Sequence, residues 1–163
     1  RVARFDIGRF SPNMQGVSFG RVWAEIDLDV LSQNLSEVRR CIGQCRMLLA
    51  IKADAYGHGA VPVARAALDA GATWLGVAFP EEAIPLRAAG ITCRMLVPGP
   101  IAPEQADLVA AHDLDQCVSD LGQAEALDHA GRAGGRVLAL HLKVDTGRGR
   151  VGLRPRDVRG VAG

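Results

Sequence analysis

From Val22 onward the chain alternates short apolar runs with amphipathic stretches, and this rhythm constrains the fold more than any other feature. "VWAEIDL" has the pattern of a short strand. In "DVLSQNLSEVRRCIG", Leu31, Leu35, Val38 and Ile42 share one helical face. Asp29 is the expected N-cap of that helix and Gly43 its stop. "RMLLAIK" is a continuous apolar run, as in a strand covered on both faces. Helices are expected in "HGAVPVARAALDAGA", "PEEAIPLRAAG", "APEQADLVAAHD" and "SDLGQAEALDHAGRAGG", and another opens at "LRPRDVRG". Strands are expected in "WLGVAF", "CRMLVPG", "LDQCVS" and "RVLALHLKVD". Pro62 and Pro103 fall where a first helical turn tolerates proline. Pro85 should delay or bend its helix. Pro80, Glu81 and Glu82 suit the positive end of the same helix.

Alternation of this kind implies parallel strands joined by right-handed crossovers. Two closures fit, an open doubly wound sheet and a (β/α)8 barrel. No GxGxxG follows any strand, which argues against a dinucleotide fold. A barrel takes about 250 residues. The chain has 163, so it is expected to be either an incomplete barrel of five to six βα units or an unusually short relative. Residues 1–20 have no apolar signal-peptide core and are expected to be a tail ahead of one domain spanning 21–163.

Composition narrows the class of function. The formal net charge of +1 argues against a nucleic-acid surface. No apolar run approaches the roughly 20 residues that span a bilayer. Cys41, Cys45, Cys93 and Cys117 form no pattern with metal-ligand spacing, so no metal is expected. They are expected to be buried thiols in a reducing, cytoplasmic compartment.

The basic residues are uneven: seventeen arginines against two lysines. The two types differ where an amine must lose its proton or form a covalent bond. Lys52 ends "RMLLAIK" and Lys143 ends "LALHLK", and carboxyl ends of parallel strands carry the chemistry in such folds. An amine there, desolvated by apolar neighbours, is a candidate Schiff-base former toward a carbonyl substrate or pyridoxal phosphate. After Lys52, "ADAYGHG" permits a close turn into the next helix and puts the Tyr56 hydroxyl near the mouth. His58 is expected to be a turn residue and His141 a core residue. In "HLKVDTGRGRVG", glycines beside Arg148 and Arg150 form a loop that could hold an anion or lie solvated.

"IKADAYGHG" resembles the pyridoxal-phosphate attachment segment of the alanine racemases, and "HLKVDTGRGRVG" their second signature. "WAEIDLDVLSQNL" and "GVAFPEEAIPLRAAGI" are similar to the segments before and between, in the same order. The resemblance implies an N-terminal eight-stranded barrel, a second domain, a homodimer, the cofactor pyridoxal 5'-phosphate and the substrate alanine, interconverted between L and D forms for peptidoglycan. By the same resemblance Lys52 holds the cofactor and moves the alpha proton on one face, and Tyr56 lies close to the phosphate. Arg150 meets the cofactor's phenolic oxygen and the substrate carboxylate. Lys143 matches a lysine that is often carbamylated and then holds that arginine.

The opposite-face base in the family is a tyrosine from the partner's second domain, whereas Tyr56 is the one tyrosine here. Arg148 stands where methionine is commoner. The chain is therefore expected to be a truncated form with weak or absent racemisation. The alternatives are a non-catalytic pyridoxal-phosphate-binding single-barrel protein and an inactive fragment.

Overall fold

The computed structural model describes residues 1–6 and 23–162. Two antiparallel strands come first, β1 (Val2–Asp6) and β2 (Trp23–Asp27), with Ala3 opposite Ile26. The first residues are therefore paired rather than a free tail, and the remainder of that segment lies outside the described residues. The Leu28 N–H also donates to the Arg1 carbonyl at 2.9 Å.

Helix α1 (Leu28–Ile42) follows directly, and its cap corrects the sequence reading. Asp27, not Asp29, is the N-cap: its carboxylate accepts the Asp29 and Val30 N–H groups at 2.9 and 3.1 Å. These are donors that the first turn leaves without intrahelical partners. The Asp29 carboxylate instead meets the amino terminus of Arg1. Gly43 ends the helix as expected.

The rest is five parallel strands: β3 (Leu48–Ala50), β4 (Trp74–Gly76), β5 (Arg94–Val97), β6 (Asp115–Val118) and β7 (Leu140–Leu142). Their order in the sheet is their order in the chain. A doubly wound sheet must reverse direction at a switch point. This sheet never does, and each crossover lands beside the previous strand, which is the construction of a (β/α)8 barrel carried through five units.

Between the strands come α2 (Lys52–Gly57), α3 (Ala60–Asp69), α4 (Ala83–Ala88), α5 (Ala106–Ala111) and α6 (Leu121–Ala133), with α7 (Arg159–Ala162) at the end. Pro85 is accommodated because Pro80–Glu82 is a 3-10 turn and α4 starts only at Ala83, leaving the proline in its first turn. No described helix is long and apolar enough to cross a membrane.

Side chains alternate across each strand. Ile51, Leu75, Val77, Met95, Val97 and Val118 point to the helices and make the core. Leu48, Trp74, Arg94, Asp115 and His141 belong to the other face. There Arg94 grips the buried Asp115 carboxylate with two bonds at 2.8 and 2.9 Å and lies 3.9 Å from the Trp74 ring centroid. His141 meets the same indole edge-on and is half-buried on this face.

The cysteines depart from expectation. Cys41 and Cys45 are exposed near the end of α1, and Cys93 and Cys117 are only partly buried. Burial nevertheless pushes the Cys93 and Cys117 thiols above the ordinary range.

The cap assignment has a direct test. Asp27→Ala should cost about 1 kcal/mol in urea denaturation, and Asp29→Ala should cost less. The reverse order would restore Asp29 as the cap.

Candidate active site

Because the five strands are parallel, their carboxyl ends share one rim of the sheet. Lys143 follows His141 in the two-residue alternation and so rises from the face turned away from the helices. Both lysines stand at the carboxyl rim, Lys52 just beyond one edge strand and Lys143 just beyond the other.

Strand β3 stops at Ala50, so Lys52 opens α2 rather than ending the strand. This single turn is left-handed. Ala53, Asp54, Ala55 and Tyr56 have φ of 51, 53, 54 and 56°. Left-handed residues normally occur singly and are mostly glycine. Four in succession need external support, and the turn is closely bonded. The Ala55 N–H donates to the Ile51 carbonyl at 2.8 Å, and the Gly59 N–H to the Asp54 carbonyl at 2.9 Å. The Asp54 carboxylate accepts the Ala60 N–H at 2.6 Å, which caps α3. The His58 ring nitrogen Nδ1 lies 2.9 Å from the Ala55 carbonyl, which makes His58 a turn residue. Gly57 and Gly59, at φ of 82 and 84°, complete the reversal.

The outcome is a lysine whose flanking backbone is anchored and whose head is uncommitted among the described residues. Ile51, just before it, is buried at 1% exposure. Among the described residues the Lys52 amine makes no hydrogen bond or ion pair. Its Nζ lies 5.9 Å from the centroid of the Tyr56 ring, within reach of a cation–π contact. Lys52 is exposed and Tyr56 is 59% exposed. The expected desolvation by apolar neighbours is therefore not realised among the described residues. Tyr56 and His58 also line a cavity of about 520 Å³ floored by Ile26, Leu31, Leu49 and Val63.

At the opposite edge, the Lys143 Nζ donates to the Pro98 carbonyl at 2.8 Å, which ties the end of β7 to the end of β5. Among the described residues it shares no bond with Arg150, as expected of two cations when the amine is unmodified. The glycine-rich loop is organised around Asp145, a residue the sequence reading did not single out. Its carboxylate accepts the Gly147 N–H at 2.9 Å and the Arg150 N–H at 3.1 Å. An aspartate followed two residues later by glycine is the signal of an Asx turn and could have identified it. The loop is pinned at its base by the Leu153 N–H to the Lys143 carbonyl and the Asp145 N–H to the Leu153 carbonyl, both at 2.8 Å. Arg148 and Arg150 are exposed on it.

Backbone N–H groups of the loop, those of Gly147 and Gly149 foremost, hold the Asp145 carboxyl below its usual range. A depressed folded-state pKa stabilises the loop above the unfolded value of 3.8 and stops doing so as pH falls through the folded value. The Gly147 and Arg150 amide resonances should therefore titrate together with a midpoint below 3.8, and Asp145→Asn should abolish the titration. A midpoint at or above 3.8 would mean that the loop is not built on this carboxylate.

The residues present suit an aldehyde cofactor bearing a phosphate. They offer one free amine, a phenol beside it and an exposed arginine on an ordered loop at the same rim.

Comparisons with known proteins identify the family and the fold. The family described as "Alanine racemase, N-terminal domain" matches residues 26–163. The alanine racemase of Symbiobacterium thermophilum is 46% identical over 136 residues, covering 83% of this chain and 36% of that protein. Among solved structures, alanine racemase from Streptomyces lavendulae superposes with a TM-score of 0.76 at 42% identity, over 83% of this chain and 35% of that one. The Clostridium difficile enzyme gives 0.79 at 30% identity, over 83% and 37%. The chain thus spans little more than a third of the length of the relatives it matches. Over that span it belongs to the alanine racemase family, as the barrel-forming N-terminal domain.

Proposed function

We propose that this chain carries the cofactor-holding half of an amino-acid racemase acting on alanine, with Lys52 as its catalytic residue and pyridoxal 5'-phosphate as its cofactor. One observation carries the reading: a lysine amine without polar partners among the described residues, at the carboxyl rim of a parallel sheet, on a turn whose backbone is bonded throughout. When bound, the cofactor supplies an electron sink for the carbanion left when an amino acid loses its alpha proton.

The chain's own residues have simpler tasks. Lys52 would hold the cofactor's aldehyde carbon through Nζ and would carry a proton at the alpha carbon on one face. The Tyr56 hydroxyl would serve as a donor to the phosphate. The Arg150 guanidinium is suited to a substrate carboxylate and the cofactor's phenolic oxygen. Carbamylation of Lys143 would replace its cation with an anion able to hold Arg150, at the expense of its bond to Pro98. In the family the second proton carrier is a tyrosine, and the one tyrosine here lies beside Lys52, so on this reading that carrier is supplied from outside these residues. A cytoplasmic homodimer, in which a partner's second domain supplies that group and the product serves peptidoglycan, completes the reading.

The test is trapping. Incubation with pyridoxal 5'-phosphate, borohydride reduction and peptide mapping should label Lys52 well ahead of Lys143, and Lys52→Arg should remove that label. Chiral chromatography of alanine incubated with the same chain should show little or no racemisation. Labelling divided evenly between the lysines would defeat the cofactor assignment, and rapid racemisation would defeat the argument for a missing second carrier.

A further inference from the structure

Glu81 and Glu82 look alike in the sequence, as two acids opening a helix. The structure gives them different partners. Glu81 is exposed and accepts from the Gln105 side chain at 2.7 Å. Glu82 is half-buried and turns back toward the rim. Its Oε1 accepts the Ala53 N–H at 2.9 Å, and its Oε2 accepts the Ala78 N–H at 2.7 Å. Ala53 follows Lys52 and is the first left-handed residue of α2. Ala78 lies just beyond β4, after Val77, whose own N–H donates to the Leu96 carbonyl at 3.0 Å. One carboxylate therefore joins the exit of β3 to the exit of β4.

The Ala53 N–H stands at the start of a helical turn, where no intrahelical acceptor exists. A carboxylate can satisfy it and the Ala78 N–H together because it offers acceptors only. A glutamine would turn an NH2 toward one of two N–H donors. An aspartate is one methylene shorter.

We propose that Glu82 is a positioning residue for Lys52, acting through the peptide that follows it and touching no reacting atom. The inference rests on the reading of Lys52 as the cofactor-holding amine. Glu82 fixes the peptide on the C-terminal side of the lysine, while buried Ile51 fixes the side before it. With both sides held, the lysine stem leaves the rim in one direction.

The experiment compares the intact chain with its Glu82→Gln and Glu82→Ala variants. Each is incubated with pyridoxal 5'-phosphate, reduced with borohydride and mapped. Lys143 is the internal reference, since general loosening of the fold would alter both lysines. The expected result is a fall of about tenfold in the ratio of Lys52 to Lys143 labelling in both variants, equivalent to about 1.4 kcal/mol. Amide exchange at Ala53 and Ala78 should accelerate in parallel. If Glu82→Ala does not fold, Glu82→Gln, which keeps the shape and one acceptor, carries the test. An intact chain that labels Lys52 selectively, with variants that retain the selectivity, overturns this inference alone. An intact chain with no selectivity overturns the functional reading and this inference with it.

Discussion

Four consecutive L-residues held in the left-handed region, Ala53 to Tyr56, cost about 1–2 kcal/mol each relative to the ordinary helix. A cost of that size persists only where the surroundings over-determine the backbone. Here Ile51 and Ala55 are buried in the core, Asp54 caps the next helix, and Glu82 takes the first N–H of the turn. A right-handed turn at this point would send the chain on a different path between β3 and α3. The left-handed turn reverses the chain within a few residues and leaves Lys52 at the rim. The placement of the amine, and so the chemistry proposed for it, depends on this reversal.

The rest of the molecule divides into two ends. At the amino ends of the strands, Arg94, Asp115, Trp74 and His141 form a mutually bonded and stacked layer. At the carboxyl ends, the contacts are mostly side chain to backbone: Glu82 to Ala53 and Ala78, Lys143 to Pro98, Asp145 to its own loop. Such contacts fix the path of the main chain and leave the Lys52, Tyr56 and Arg150 heads exposed for a ligand. A parallel α/β sheet commonly separates its stabilising end from its reactive end in this way.

Much of this was legible in the sequence. The strand and helix alternation, Gly43 as a stop and the delayed start caused by Pro85 follow from local chemistry, and the structure reproduces them. So does the position of both lysines at one rim, because strand direction follows from the alternation. The N-cap was missed by two residues because "DLD" offers two equivalent aspartates and only the entry angle of the chain selects Asp27. The left-handed turn was not legible, since Ala and Tyr disfavour that region and Asp visits it only as a single residue. One of its supports comes from Glu82, 29 residues downstream. The Lys143 bond to Pro98 spans 45 residues and leaves no local signal either. Contacts that join one strand exit to another are set by topology, so they become visible only once the sheet is built.

The handedness of that turn can be read from the sign of a single stability change. Ala53 is exposed, so replacing it with glycine removes little packing and mainly changes backbone preference. In a right-handed helix Ala→Gly costs about 1 kcal/mol. In the left-handed region the penalty on the Cβ disappears and the substitution should be neutral or stabilising. Urea denaturation of Ala53→Gly is therefore expected to show an unchanged or raised midpoint, and a loss of about 1 kcal/mol would contradict the account of how Lys52 is held.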